Sequence, residues 1–288
     1  MNLKDTFLAS LVPIFLGFGF VIAKPAMEYF PPMLLMGMRF IFAASILVWW
    51  FPIPKGYLKK IFIASLIANT MQYGLTYTGL SFIDASAAVL LVQTEVPFGV
   101  IFAYFMLKEK PTIRSLVGIT IAFVGVYVLT GSPNLDGKFV GVALVVIGSG
   151  VWALGQVLVK PLSKKISPLT LVAWMALFSG PILVSLSAIF DGNTINYFKT
   201  ANFESWLIAI YLGFIMQPIT YGCFYYVIKN NPIYKVLPIV TMGIPLTGLL
   251  AAIFLLGEKP TTELFIGGVI ILLGVVLIVF TKPEKNNL

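Results

Sequence analysis

The sequence predicts an all-α integral membrane protein with ten transmembrane helices, arranged as two inverted five-helix repeats around a central cavity. Three observations predict it. First, 59% of the 288 residues are hydrophobic and only 10% are charged, with a mean hydropathy of +0.98. Soluble domains carry about 25% charged residues, and a soluble fold of this size has nowhere to hide so much apolar surface. The apolar residues also come in runs long enough to span a bilayer, so lipid is the expected solvent. Second, the chain repeats itself. L-K-E-K-P-T at 107–112 returns as L-G-E-K-P-T at 256–261, Gly118 and Gly125 return as Gly267 and Gly274, and Lys24-Pro25 with Pro32 returns as Lys160-Pro161 with Pro168. Third, lysine and arginine alternate in abundance between successive links, as the two faces of a membrane require.

Ten spans follow in order, each near the ~20 residues a bilayer needs. The first, 6–23, continues from Lys4-Asp5 without a small-residue cleavage site, so it reads as a span and not a removable signal. It carries Pro13, Gly17 and Gly19. The second, 32–51, holds Arg39 about two turns in and ends on Trp49 and Trp50, the default residues of an interfacial belt. The third, 59–79, carries Asn69, Gln72, Tyr73, Thr76 and Tyr77; these spacings place all five on one helical stripe. The fourth, 86–107, follows Ala85, opens on Ser86, Ala87 and Ala88 and holds Gln93, Glu95 and Pro97. The fifth, 112–130, is the first glycine helix. The sixth, 137–159, has Gly148, Gly150, Gly155, Trp152 and Gln156. The seventh, 168–190, has Trp174 and Pro181. The eighth, 203–226, has Trp206, Pro218 and Cys223, with Gln217, Tyr221 and Tyr225 at i, i+4 and i+8. The ninth, 233–256, has Pro238 and Pro245, and the tenth, 261–281, repeats the glycine helix. Links are short except the polar stretch 191–202, with Gly192, Asn193 and Asn196.

Orientation rests on charge. With the N-terminus cytoplasmic, that side carries Lys4, Lys55, Lys59, Lys60, Lys108, Lys110, Arg114, Lys160, Lys164, Lys165, Lys229, Lys235, Lys282 and Lys285, fourteen in all. The other side carries four: Lys24, Lys138, Lys199 and Lys259. The bias places both termini in the cytoplasm and supports an even helix count. Five helices per copy is odd, so the second copy, 134–288, enters the membrane upside down relative to the first, 1–133. The offset between copies grows from 136 residues at Lys-Pro to 149 at E-K-P-T, and the long link 191–202 absorbs the difference.

Polar groups deep in the bilayer are the functional candidates. Glu95 leads: a lone carboxylate near the middle of the fourth span must meet a proton, water, a cation or an interhelical hydrogen bond. Gln93, two residues away, shares its direction only if Pro97 distorts the helix. Arg39 could pair with Glu95, meet a substrate carboxylate, snorkel to the surface or brace helix ends. The stripes of the third and eighth spans, both containing Met-Gln (Met71-Gln72 and Met216-Gln217), would face each other across a central cavity. Trp152, Gln156 and Trp174 are open to either lining or anchoring. The in-span prolines are bundle shapers or hinges. The glycines at seven-residue spacing read as scaffold for close helix contact, and Cys223 as a small packing residue.

The chain resembles the drug/metabolite transporter superfamily in its duplicated EamA-domain form. The resemblance rests on P-P-M-L-L-M-G-M-R-F at 31–40, A-S-A-A-V-L-L-V-Q-T-E-V-P at 85–97, the E-K-P-T turn with its glycine helix at 107–126, and I-V-T-M-G-I-P-L-T-G-L-L-A-A-I-F-L-L-G-E-K-P at 239–260. The P-P-x-x-L-x-G-x-R-F stretch is also similar to the O-acetylserine/cysteine exporter branch. The resemblance implies an inner-membrane carrier of amino acids, their derivatives or other small metabolites, commonly outward and proton-coupled. It assigns no role to Glu95.

Other function classes fare worse on the inventory. There is no histidine and one cysteine, which excludes disulfides within the chain, His-Cys metal sites and Ser-His-Asp triads. No G-x-x-x-x-G-K-[ST] loop is present, so ATP is not the direct fuel. A channel would need a polar lining or rings of charge. The net charge of +8 is spread singly between apolar runs, which excludes a nucleic-acid footprint. No cofactor is expected. The expected partners are a small-molecule substrate and the bilayer, with a homodimer and an uptake direction left open.

Overall fold

The computed structural model describes residues 1–280 apart from Glu109, Asn193 and Pro232. The glutamate of the first E-K-P-T turn, Asn193 of the long link, and Lys282 and Lys285 of the charge tally therefore lie outside the described residues. Those described form helices and connecting turns, with no strand among them. This is what lipid demands, because a helix satisfies its backbone hydrogen bonds within one segment.

The long helices are α1 (Leu3–Ala26), α2 (Pro32–Trp50), α3 (Leu58–Ser65 continuing through Leu66–Met71 to Gln72–Phe82), α4 (Ala85–Leu91, Val92–Thr94 and Glu95–Leu107) and α5 (Ile113–Thr130). They continue with α6 (Phe139–Ser163), α7 (Pro168–Phe190), α8 (Phe203–Ile210, Tyr211–Met216 and Gln217–Asn230), α9 (Ile233–Leu256) and α10 (Thr262–Val279). Among the described residues nine helices are long and apolar enough to cross a membrane. The long helix outside that count is α3, whose Asn69, Gln72, Thr76 and tyrosines dilute its hydropathy. The link 191–202 is not merely polar loop. It holds a short helix, Thr194–Thr200, whose Phe198 stacks on Trp206 with ring centroids 5.8 Å apart. Phe30 meets the same indole edge-on at 5.2 Å, so Trp206 closes one end of the bundle, whereas Trp49 and Trp50 remain exposed.

Start signals are local. Thr112 and Thr261, the last residues of the repeated turn, cap α5 and α10: each hydroxyl accepts from a backbone N–H three residues on, Ser115 at 3.2 Å and Leu264 at 3.3 Å. The repeated threonine is therefore the helix start of each glycine helix.

The principal packing partners are α5 with α10, α2 with α7, α1 with α8 and α9, and α6 with α3 and α4. Glycine sets the first two contacts. A Cβ on Gly118 would stand 2.7 Å from the carbonyl oxygen of Gly274, and one on Gly125 would stand 2.6 Å from the backbone nitrogen of Ile271. Gly37 and Gly180 bring α2 and α7 close as well, with a Cβ on either standing 2.9 Å from a backbone nitrogen of the facing helix. The scaffold reading of the spaced glycines is therefore correct.

Two helices share an irregularity. In α3 and in α8 a six-residue π-helical segment ends immediately before a glutamine, Leu66–Met71 before Gln72 and Tyr211–Met216 before Gln217. In α8, Pro218 removes the donor that would bond the Phe214 carbonyl, so a wider turn is natural there. In α3 no proline is present. In α4 the turn Val92–Thr94 tightens to a 3₁₀ form just where Pro97 leaves the Gln93 carbonyl without its helical donor.

Candidate functional site

The stripes of α3 and α8 meet. Asn69, Gln72, Tyr73, Thr76 and Tyr77 are all buried, as are Gln217, Tyr221 and Tyr225. The hydroxyls of Tyr73 and Tyr221 share a hydrogen bond across the two helices. Tyr73 and Tyr77 stack 5.5 Å apart, and Trp152 of α6 meets Tyr221 edge-on at 6.0 Å.

Arg39 of α2 lies at the centre of this cluster and is fully buried, so it does not snorkel. Its Nε donates to Gln217 Oε1 at 2.9 Å, one terminal nitrogen to the Tyr77 hydroxyl at 3.3 Å and the other to the Tyr73 hydroxyl at 3.4 Å. The Met36 sulfur lies at 4.0 Å, and the guanidinium sits 4.9 Å from the centre of the Tyr73 ring. It does not pair with Glu95: the ion pairs found among the described residues both belong to Lys24. Hydroxyls, an amide and a ring face hold the charge in place of a carboxylate.

Glu95 stands elsewhere, as the first residue after the tight turn of α4, and is half-buried. A Cβ on Gly99, one turn along, would meet nothing within 4 Å, so this face of α4 is open. Gln93 and Thr94 are fully buried beside it. Several buried polar atoms have no partner among the described residues: Thr70 Oγ1, Gln72 Oε1, both amide atoms of Gln93, Gln156 Nε2 and Thr220 Oγ1. Buried polar groups are nearly always bonded. They fall on α3, α4, α6 and α8. Trp174 packs against the same hydrophobic cluster as Tyr221 and Tyr225, and its indole N–H reaches the Phe51 carbonyl at 3.4 Å and ties α7 to the end of α2. Cys223 is free and half-buried beside Val227 and Val236.

One arrangement has no signal within its own stretch of sequence. Glu258, in the second E-K-P-T turn, accepts from the backbone N–H groups of Ala85 at 2.8 Å and Ser86 at 2.9 Å, and from Lys24 Nζ at 3.3 Å. It thereby caps the start of α4 and joins it to the end of α1. Asp84 completes the cluster, 3.8 Å from Lys24 and bonded by Asn134 at 3.1 Å. At the opposite end of α1, Asn231 donates to Asp5 at 2.9 Å. Burial works to raise the Glu258 carboxyl, but the Ser86 and Ala85 donors and Lys24 outweigh it, and the group titrates below the usual carboxylate range. Its contribution is therefore present above the unfolded value and lost as the pH falls through the lowered one. Glu258→Ala is expected to cost about 1–2 kcal/mol at neutral pH, the scale of a lost cap. The difference from wild type should shrink below about pH 4. Thermal unfolding in detergent from pH 3 to 7 reads both effects.

The EamA-like transporter family model matches residues 4–131 and again 139–280. The chain belongs to the EamA-like transporter family. This EamA-family chain is 29% identical to a protein of Salmonella typhimurium and to one of Escherichia coli, each named "Probable amino-acid metabolite efflux pump", covering 97% of this chain and 96% of the relative in both cases. It is 25% identical to an "Uncharacterized transporter" of Archaeoglobus fulgidus, over 96% of this chain and 98% of that one. A solved protein structure superposes with a TM-score of 0.66 at 15% identity, covering 95% of each chain, which is a likeness of fold. As an EamA-family member the chain is a multi-span membrane transporter, and it sits within the drug/metabolite transporter superfamily its motifs resemble.

Proposed function

We propose that this protein is a secondary carrier that exports amino acids or related small metabolites across the bacterial inner membrane by alternating access, with proton coupling. Two relatives matched over nearly their whole length carry an efflux-pump name for amino-acid metabolites. In this reading α3 is the tenth span, both termini are cytoplasmic, and residues 1–133 and 134–288 are inverted halves.

One observation carries the reading. Adding five to each helix number maps the principal packing contacts onto one another. The contact of α1 with α9 becomes that of α6 with α4, α1 with α8 becomes α6 with α3, and α5–α10 and α2–α7 map onto themselves. The π segments of α3 and α8 obey the same exchange, as do the threonine caps of α5 and α10. A bundle built this way presents equivalent helices to its two ends, and two arrangements related by the exchange have similar packing energies, which alternating access requires. The tyrosine–arginine cluster between α2, α3 and α8 lies where such halves meet.

The test is flux. Protein reconstituted into liposomes with an imposed pH gradient should move a radiolabelled amino acid or O-acetyl derivative from a panel faster than protein-free liposomes. Absence of movement for every compound, with and without the gradient, would contradict the proposal.

A further inference from the structure

Arg39 is a fully buried cation held by neutral groups. A guanidinium offers five N–H donors in a flat fork. Here only the bond to Gln217, at 2.9 Å, has ordinary length. The two terminal nitrogens, the edge that grips a carboxylate in a two-pronged pair, are held by tyrosine hydroxyls at 3.3 and 3.4 Å and by a thioether at 4.0 Å. These are weak, neutral and movable partners. A buried charge costs several kcal/mol unless an opposite charge meets it, and no carboxylate among the described residues forms an ion pair with this one.

We infer that the terminal edge of Arg39 is the carboxylate subsite of the transport path, and that the acid group of the substrate is the counter-charge it lacks. This rests on the carrier reading and adds the substrate class: compounds with a free carboxylate, not their amides or amines. On binding, the carboxylate accepts from both terminal nitrogens, and the hydroxyls of Tyr73 and Tyr77 turn from accepting from Arg39 to donating to the ligand. Gln217 keeps its bond to Nε and holds the plane of the fork. Amides and amines are disfavoured because they bring no carboxylate to the fork.

The same cluster shows how the subsite opens. Arg39 is sealed in part by the hydroxyl bond between Tyr73 and Tyr221, which joins α3 to α8. Both tyrosines stand a few residues beyond the π segments of their helices. Parting of these two helices at that bond exposes the fork.

The experiment pairs binding with transport. Serine, cysteine and phenylalanine are each compared with their amides and decarboxylated amines, by thermal shift of the detergent-solubilised protein and by competition of flux in liposomes. The wild type should favour at least one free acid over its amide by roughly tenfold or more, the scale of one lost charge-assisted bond. Arg39→Gln should lose that preference while its response to the amide changes by less than about twofold, and Arg39→Lys should restore part of it, since a point charge attracts the acid without the fork. Arg39→Gln that weakens acid and amide alike, or a wild type that handles both equally, overturns the subsite and leaves the carrier standing. A wild type that binds acids selectively but moves none overturns the carrier and supports the subsite. A wild type that neither binds nor moves any acid overturns both.

Discussion

Glu95→Gln should remove the dependence of transport on the pH gradient and cut gradient-driven flux by roughly tenfold or more, an effect equivalent to about 1.4 kcal/mol or more. Glutamine keeps the size and hydrogen-bonding shape of the side chain but cannot take up or release a proton. Glu95 suits a proton-handling role by its place. It lies deep in α4, has no ion-pair partner among the described residues, and faces the side of the helix that Gly99 leaves open. A carboxylate paired to a fixed cation would have less reason to change its proton. Exchange of labelled for unlabelled substrate without a gradient should survive in the variant, because no net proton movement is needed. If Glu95→Gln responds to the gradient as wild type does, Glu95 has no coupling role. If exchange is lost as well, its role is in substrate binding or packing.

Gly125→Leu carries the largest expected effect on stability. At Gly125 even a methyl group would stand 2.6 Å from the backbone nitrogen of Ile271 and 2.9 Å from the Gly267 carbonyl oxygen. These are main-chain atoms of α10 and cannot rotate away. The two helices must separate, forfeiting the contact that their four glycines create. Overpacking of this kind costs about 1–3 kcal/mol and more where the backbone has to move. A leucine at Gly99 meets open space and serves as the control for side-chain size. The melting temperature in detergent should fall clearly for Gly125→Leu and far less for Gly99→Leu. Equal melting temperatures would show that the α5–α10 contact is not set by glycine.

What the sequence makes legible follows periodicity. The glycine contact and the two polar stripes rest on spacings of three, four or seven residues, and the helices carry those spacings into space. Tyr73 and Tyr221 meet as the stripes suggest. What escapes is any partnership across the bundle. Arg39 could be assigned to Glu95, to a substrate or to the surface, because nothing local says that Gln217, 178 positions away, would take its Nε. Glu258 is visible as a repeated letter, while its purpose is set by two backbone donors at Ala85 and Ser86. Trp174 could line or anchor, and its bond to Phe51 ties it to the end of α2. The polar stripe had a cost as well: the residues that make α3 conspicuous in sequence also leave it outside the nine described helices long and apolar enough to cross a membrane.

The inverted arrangement of the halves is the claim on which the transport proposal depends. Single cysteines at Lys110 and Lys259, in a Cys223→Ser background, test it in intact cells with a membrane-impermeant maleimide. The two lysines occupy the same position in the two copies of one turn, E-K-P-T at 109–112 and at 258–261. Inverted halves predict labelling of Lys259→Cys from outside and protection of Lys110→Cys until the membrane is permeabilised. Labelling of both from the same side would mean that the copies run in parallel, and the account of two interchangeable halves would fail.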